Sequence, residues 1–208
     1  MRKSLFVIAL MSASCLLAQE LKTITLPPPQ TDGGRPLMQV LKDRKTTREF
    51  ATDKLPSQIL SNLLWAAFGV NRPDGRRTAP SAMNKQEIEI YVATADGLFI
   101  YNAQANRLDP VLSQDVRAAT GTQSFVATAP VNLVYVADLA KAGSEPDADL
   151  YTAADAGFIA QNVYLYCASE GLATVVRGSV DRAALAKATK LRPEQKIILA
   201  QTVGYPKK

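Results

Sequence analysis

Apolar positions recur along the chain with two different spacings, and the spacings assign the elements. From Pro56 onward, Ile59, Leu60, Leu63, Leu64, Ala67 and Phe68 follow i, i+3, i+4, i+7 steps, one stripe of a helix that stops near Gly69. Proline at the first position costs that helix nothing, because the first amide has no intrahelical acceptor anyway. A shorter helix opens at Pro36, with Leu37, Val40 and Leu41 on one side, and runs into Arg44-Lys45. Glu87 to Val92 alternates with period two, which predicts a strand with one wet face. Asp96-Gly97 turns the chain back into a return strand over Leu98 to Tyr101. Asp109 to Ala119 reads as a short helix, and Val131 to Val136 as a strand covered on both faces. The longest helix is predicted from about Asp149 to Glu170, with Gly171 as its stop and Gly157 and Ala160 permitting close helix packing. A strand over Ala173 to Val176, a helix capped by Asp181 and a strand over Ile197 to Val203 complete the chain. The pattern predicts one α+β domain, a mixed sheet covered by helices, without internal repeats.

The first 35 residues follow neither spacing. Arg2 and Lys3 precede a mostly apolar run from Leu5 to Ala18, the layout of a secretory signal peptide with cleavage at Ala18-Gln19. The run falls short of the roughly 18 apolar residues that mark a membrane span. Pro27-Pro28-Pro29 favours extended polyproline geometry, and Asp32-Gly33-Gly34 breaks it. The expected organisation is therefore a signal peptide over 1–18, an extended arm over 19–35 and one folded domain over 36–208. The mature protein is expected to be exported, periplasmic or otherwise extracytoplasmic, with no membrane span. The rival readings are a retained anchor and a lipoprotein acylated at Cys15. Against the second stand Ser12, where a large aliphatic residue is usual, and Leu16-Leu17, which prolong the apolar run.

Composition narrows the chemistry. The chain has 208 residues, 47% hydrophobic and 21% charged, enough for one ordinary globular core. Of 24 basic and 19 acidic residues, the signal peptide would remove Arg2 and Lys3, leaving 22 against 19. That slight excess suits one anionic ligand and argues against a nucleic-acid partner. There is no histidine, which excludes Ser-His-Asp and Cys-His catalysis and histidine-ligated zinc. Cys167 would be the one cysteine left after cleavage, so no internal disulfide is expected and the thiol reads as a core residue. A bound organic cofactor would fill the chemical gap.

Three segments could hold such a cofactor, and each has a plainer alternative. If Arg44-Lys45-Thr46-Thr47-Arg48 is extended, residues 44, 46 and 48 point one way and offer two guanidinium forks and a hydroxyl to a phosphate. The same pentapeptide also reads as a solvated cationic helix end. In Arg77-Thr78-Ala79-Pro80-Ser81-Ala82-Met83-Asn84, a Pro-Ser turn and a carboxamide could meet a polar ring edge, or form an ordinary loop. In Gly171 to Gly178, a glycine after a short strand lets the backbone approach a flat ligand, or simply turns.

Taken in order, these segments resemble the nitroreductase superfamily, in its branch similar to the SagB-type dehydrogenases. The resemblance runs through "LPPPQTDGG", "LKDRKTTREF", "RTAPSAMNKQEIEIYVATADGLFIYNA", "FVATAPVNLVYVAD", "DAGFIAQNVYLYCASEGLATVVRGSVD" and "ILAQTVGYP". It implies an FMN-dependent oxidoreductase and a homodimer with two FMN sites at the subunit interface, the long helix forming the seam near Gln161-Asn162. Arg44, Lys45, Thr46 and Arg48 would hold the phosphate and ribityl chain. Pro80, Ser81 and Asn84 would reach the flavin from the partner subunit. The backbone of Val176, Arg177 and Gly178 would lie along its N5 edge. The chain departs from the family in ending at Lys207-Lys208, which either take the place of a later basic pair or hang free. It also carries Met83 where the branch has glycine. Arg177 replaces a small or acidic residue and is expected to set a charge near the flavin. Hydride would pass through flavin N5 to a small nitro, quinone or related acceptor, with NAD(P)H as the implied donor; export argues for another reductant, since nicotinamides are scarce outside the cytoplasm. The alternatives are a non-catalytic flavin- or ligand-binding protein that keeps the fold, and an interaction domain that uses only the dimer.

Overall fold

The computed structural model describes residues 20–143 and 146–208, so the predicted signal peptide lies outside the described residues. Seven strands form one sheet: β1 (Ile24–Thr25), β2 (Ile88–Thr94), β3 (Gly97–Asn102), β4 (Arg107–Leu112), β5 (Val131–Asp138), β6 (Ala173–Arg177) and β7 (Gln195–Gly204). The helices are α1 (Leu37–Asp43), α2 (Ser57–Phe68), α3 (Leu139–Ala142), α4 (Ala148–Glu170) and α5 (Arg182–Ala188). The strand order is β1-β4-β3-β2-β5-β7-β6. The α+β class holds, but every ladder is antiparallel, so the sheet is not mixed. The reason is β7. The helical crossover through α4 joins β5 to β6 in the same direction, and β7 inserts between them, antiparallel to both.

The helix expected over Asp109 to Ala119 is also corrected. Residues 107–112 form β4, paired with β3, and a 3-10 turn spans Arg117–Thr120. Asn106, at φ 44°, reverses the chain so that β4 returns along β3. The predicted arm is extended but docked. Ile24 pairs with Leu108, Leu26 is buried, and Ser61 Oγ and Asn106 Nδ2 both donate to the Pro27 carbonyl at 2.6 and 2.8 Å.

Both faces of the sheet are covered. α2 and α4 lay Leu63, Leu64, Ile159 and Val163 against Ile88, Ile90, Val92, Leu133 and Tyr135. On the other face Tyr91, Val134, Val136 and Ala200 meet Leu185 of α5 and Val116. The wet face expected of residues 87–92 is missing: Glu89 lies half-buried on the second face, and Glu87, just ahead of β2, is buried against α4. Cys167 is fully buried in the first core, as expected, and burial pushes its thiol well above the usual range. In α1 only Val40 is buried, whereas Leu37, Met38 and Leu41 face outward.

Several polar groups inside the core are paired across elements. Tyr135 Oη donates to Gln201 Oε1 at 2.6 Å, and Gln201 Nε2 donates to Thr174 Oγ1 and the Ala160 carbonyl, tying β5, β7, β6 and α4 together. Arg177 does the same on the opposite face. Its guanidinium donates to the Thr120 carbonyl at 2.7 Å, to Asn132 Oδ1 and to Thr202 Oγ1. Among the described residues it has no carboxylate partner, and burial pulls it down to about 10.

Gly121 makes room for that cation. A Cβ there would stand 1.9 Å from Arg177 Nη1 and 2.8 Å from Gln123 Oε1, while the extended backbone itself tolerates any residue. Gly121→Ala is expected to destabilise the fold by about 2–4 kcal/mol in denaturant unfolding, because a hydrogen-bonded buried guanidinium must be displaced. In an Arg177→Met background the same change is expected to cost under about 1 kcal/mol, which a double-mutant cycle would measure.

Candidate cofactor site

The segment after α1 is held open by β6. Thr47 N donates to the Thr174 carbonyl at 3.0 Å, which keeps residues 44–48 extended along the sheet edge. Beside it lies a groove of about 690 Å³, lined by Lys42, Arg44, Lys45, Thr47, Tyr164, Thr174 and Lys207 among others. That volume is in the range of sites for cofactor-sized ligands. Among the described residues Lys42, Arg44, Lys45 and Lys207 form no ion pair, and Asp43 is engaged by Arg35. The groove flanks the C-terminal end of α4, where the helix dipole repels anions, so its affinity for a phosphate rests on these side chains.

Tyr164 links this groove to the third segment. Its hydroxyl lies 3.0 Å from Thr46 Oγ1 and accepts from the Val176 amide at 3.0 Å. The Arg44 guanidinium stacks over its ring, 5.2 Å from the centroid. One phenol therefore joins residues 44–46 to residues 176–178. Gly178 is exposed, and a Cβ on it would meet nothing within 4 Å, so the space beside its backbone is open. A cationic end, a hydroxyl-lined waist and an open glycine backbone suit a ligand with a phosphate at one end and a flat ring at the other.

The chain's last residues are not loose. Phe50 bridges Pro206, Ala51 N donates to the Tyr205 carbonyl and Lys207 N to the Glu49 carbonyl. Lys207 is thereby held in the groove wall, while Lys208 is exposed beyond it. Arg48 is exposed and outside the groove lining. The expectation for Arg177 is corrected: its guanidinium is locked in the buried network on the far side of the sheet, where Thr120, Asn132 and Thr202 supply the acceptors that a ligand otherwise would. Only its backbone remains available to the site.

The second segment lies elsewhere. Ser81 Oγ accepts from Gln86 N, and Ala82 N donates to Asp155 Oδ2 at 2.9 Å on α4. Met83, Asn84 and Gln86 all sit at positive φ, a costly left-handed geometry for residues with a Cβ. Asp155 precedes Tyr164 by nine residues, about 13–14 Å along the helix axis. A single chain thus assembles the first and third segments and keeps Pro80, Ser81 and Asn84 apart from them. Two residues that organise the site, Tyr164 and Asp155, were not singled out by the sequence. Their signal is the presence of polar groups on the buried stripe of a helix, where each needs a partner.

Comparison with known proteins bears on the family and the fold. The model of the nitroreductase family matches residues 41–205. A protein of Methanocaldococcus jannaschii that carries the nitroreductase name is 33% identical over 156 residues, 69% of this chain and 78% of its own length. A crystal structure of a nitroreductase-type protein from Ralstonia eutropha superposes with a TM-score of 0.86 at 44% identity, over 89% of this chain and 90% of that one. The same fold is found in a nitroreductase-type protein from Desulfovibrio desulfuricans, solved in complex with FMN, with a TM-score of 0.62 at 22% identity over 85% of this chain and 89% of that one. The match over most of the chain and the site geometry lead to one conclusion: this chain belongs to the nitroreductase family of oxidoreductases.

Proposed function

We propose that the chain is an exported, homodimeric, FMN-dependent oxidoreductase that reduces a small nitro, quinone or related acceptor. The observation that carries this reading is the Tyr164 hydroxyl, which brings Thr46 and Val176 together at the end of a cationic groove. When bound, FMN supplies the hydride chemistry, which a chain without histidine does not supply through acid–base side chains. Arg44, Lys45 and Lys207 bind the phosphate, with Lys208 within reach from the terminus. Thr46 and Tyr164 orient the ribityl chain, and Arg48, exposed outside the groove lining, adds its charge to the phosphate and ribityl end. The Gly178 amide donates toward the N5 edge, and a fixed donor there favours negative charge on the reduced ring. NAD(P)H is the donor to assay first, and another small reductant serves outside the cytoplasm.

The remaining wall comes from a second copy. α4 presents Leu150, Tyr151 and Phe158 to solvent and α1 presents Leu37, Met38 and Leu41, an apolar surface of the kind that association covers. A two-fold axis crossing α4 midway between Asp155 and Tyr164 sets Asp155 of one copy opposite Tyr164 of the other. The Pro80-Ser81-Asn84 loop, anchored at Asp155, then closes the partner's site. An open position at Gly157 suits close approach of the two helices.

Three outcomes test the reading. Arg44→Ala and Arg48→Ala are each expected to weaken FMN binding by about 1.5–3 kcal/mol, measured by quenching of flavin fluorescence. Tyr164→Phe removes the partner of the Val176 amide and of the Thr46 hydroxyl, and is expected to cost roughly tenfold in FMN affinity; an unchanged affinity would show that the phenol does not shape the site. Phe158→Glu places a charge in the proposed seam. Sedimentation should then report a monomer, and the same sample should no longer retain FMN.

A further inference from the structure

Glu87 is 2% exposed, and neither of its carboxylate oxygens has a hydrogen-bond partner among the described residues. A buried carboxylate left so is rare and costly. Glu87 shares a small void with Thr152 of α4, and one turn further along that helix stands the carboxyl of Asp155, itself 3% exposed. Two ionised carboxylates cannot bond to one another, since both only accept; one proton turns the pair into donor and acceptor. Lys85, on the same loop, favours the ionised form of Glu87, but less than burial opposes it, and its ammonium donates to the Ala142 carbonyl. Asp138, whose amide donates to the Glu87 carbonyl, turns its carboxylate to Arg192 and Lys141, and Lys141 also meets Glu89. Tyr151 and Thr152 of α4 line the small void beside Glu87, which at about 10 Å³ is too tight for a hydrated cation.

The position of the pair gives it a task. Asp155 accepts the Ala82 amide at the start of the 82–86 loop, and Glu87 ends that loop. Both ends of the loop thus meet α4 within about one turn, and between them Met83, Asn84 and Gln86 hold left-handed backbone that would relax if released. We infer that Glu87 and Asp155 share a single proton and act together as positioning residues, a clasp that holds the 82–86 loop in shape and opens when that proton is lost. Burial, with Asp155 adding to it, pushes Glu87 up to about 7, so the clasp loosens as pH rises through neutrality. The sign for stability follows: the folded chain binds a proton that the unfolded chain has released, so stability falls as pH rises from the ordinary carboxyl range to about 7 and is level above it. The consequence for ligand binding rests on the flavin reading above, because the loop would close the partner's site; the clasp itself does not.

The test uses the full mature chain without FMN and its Glu87→Gln variant, whose amide donates to Asp155 at every pH. Infrared spectra of the wild type should show a protonated-carboxyl band at about pH 6 that is gone by about pH 8.5, and Glu87→Gln should lack it. Over the same range the wild-type melting temperature should fall relative to that of Glu87→Gln. A wild type without a titrating band, or a variant that keeps one, would overturn the inference. With FMN as probe, the two chains should bind equally at about pH 6, and Glu87→Gln roughly tenfold tighter at about pH 8.5. Equal binding at both pH values with the band titrating as expected would overturn the positioning role. No FMN uptake by either chain at any pH would instead count against the flavin reading alone.

Discussion

The site depends on a buried phenol that must find polar partners. Tyr164 sits on the stripe of α4 that faces the sheet, and its hydroxyl cannot be left unpaired there. It meets that demand with the Val176 amide at the end of β6 and the Thr46 hydroxyl after α1. Two stretches more than 120 residues apart in sequence are thereby fixed against one helix. Arg44, stacked on the same ring, is aimed into the groove and not left to sample solvent. Structural satisfaction of one polar atom and assembly of the candidate site are here a single event.

A similar economy governs two of the charged groups buried inside the fold, Arg177 and Glu87. Arg177 is buried without a carboxylate, and carbonyl and side-chain oxygens from three elements share its charge. This satisfies the cation without placing a second charge in the core, which would carry its own desolvation cost. Glu87 lacks even that, and its surroundings favour a proton over a counter-ion. Both groups lie within a few residues of segments that contact the proposed ligand, at the ends of β6 and of the 82–86 loop. The sheet is close-packed on both faces, and strain at either point is passed to those segments through hydrogen bonds instead of being absorbed by loose packing.

Much of the fold was legible in the sequence because one signal decided each element. The apolar stripe from Ile59 to Phe68, the Asp96-Gly97 turn, the Gly171 stop and the Asp181 cap each appear where local physics puts them. Residues 109–119 read as a helix because the reversal ahead of β4, at Asn106, carries no glycine to mark a hairpin, and the strand itself carries a proline. The antiparallel sheet was hidden because β7, the last strand, takes its place between two earlier ones. At the site, Arg44, Thr46 and Gly178 were visible as residue types suited to phosphate and ring. The direction of the Arg177 side chain was not, since alternation along β6 fixes its face only once the register with β7 is known. Tyr164 and Asp155 were missed for a related reason: a helical pattern reveals which side is buried but not which polar group waits opposite.

In the proposed assembly, residues 44–46 and 176–178 of one copy and residues 80–84 of another enclose one flavin. Titration of the mature protein with FMN, followed by flavin fluorescence and by mass in sedimentation, tests it most directly. The account predicts saturation at one FMN per chain, on a particle of two chains, with the bound fluorescence quenched. Saturable binding to a single chain, or no uptake at all, would contradict it.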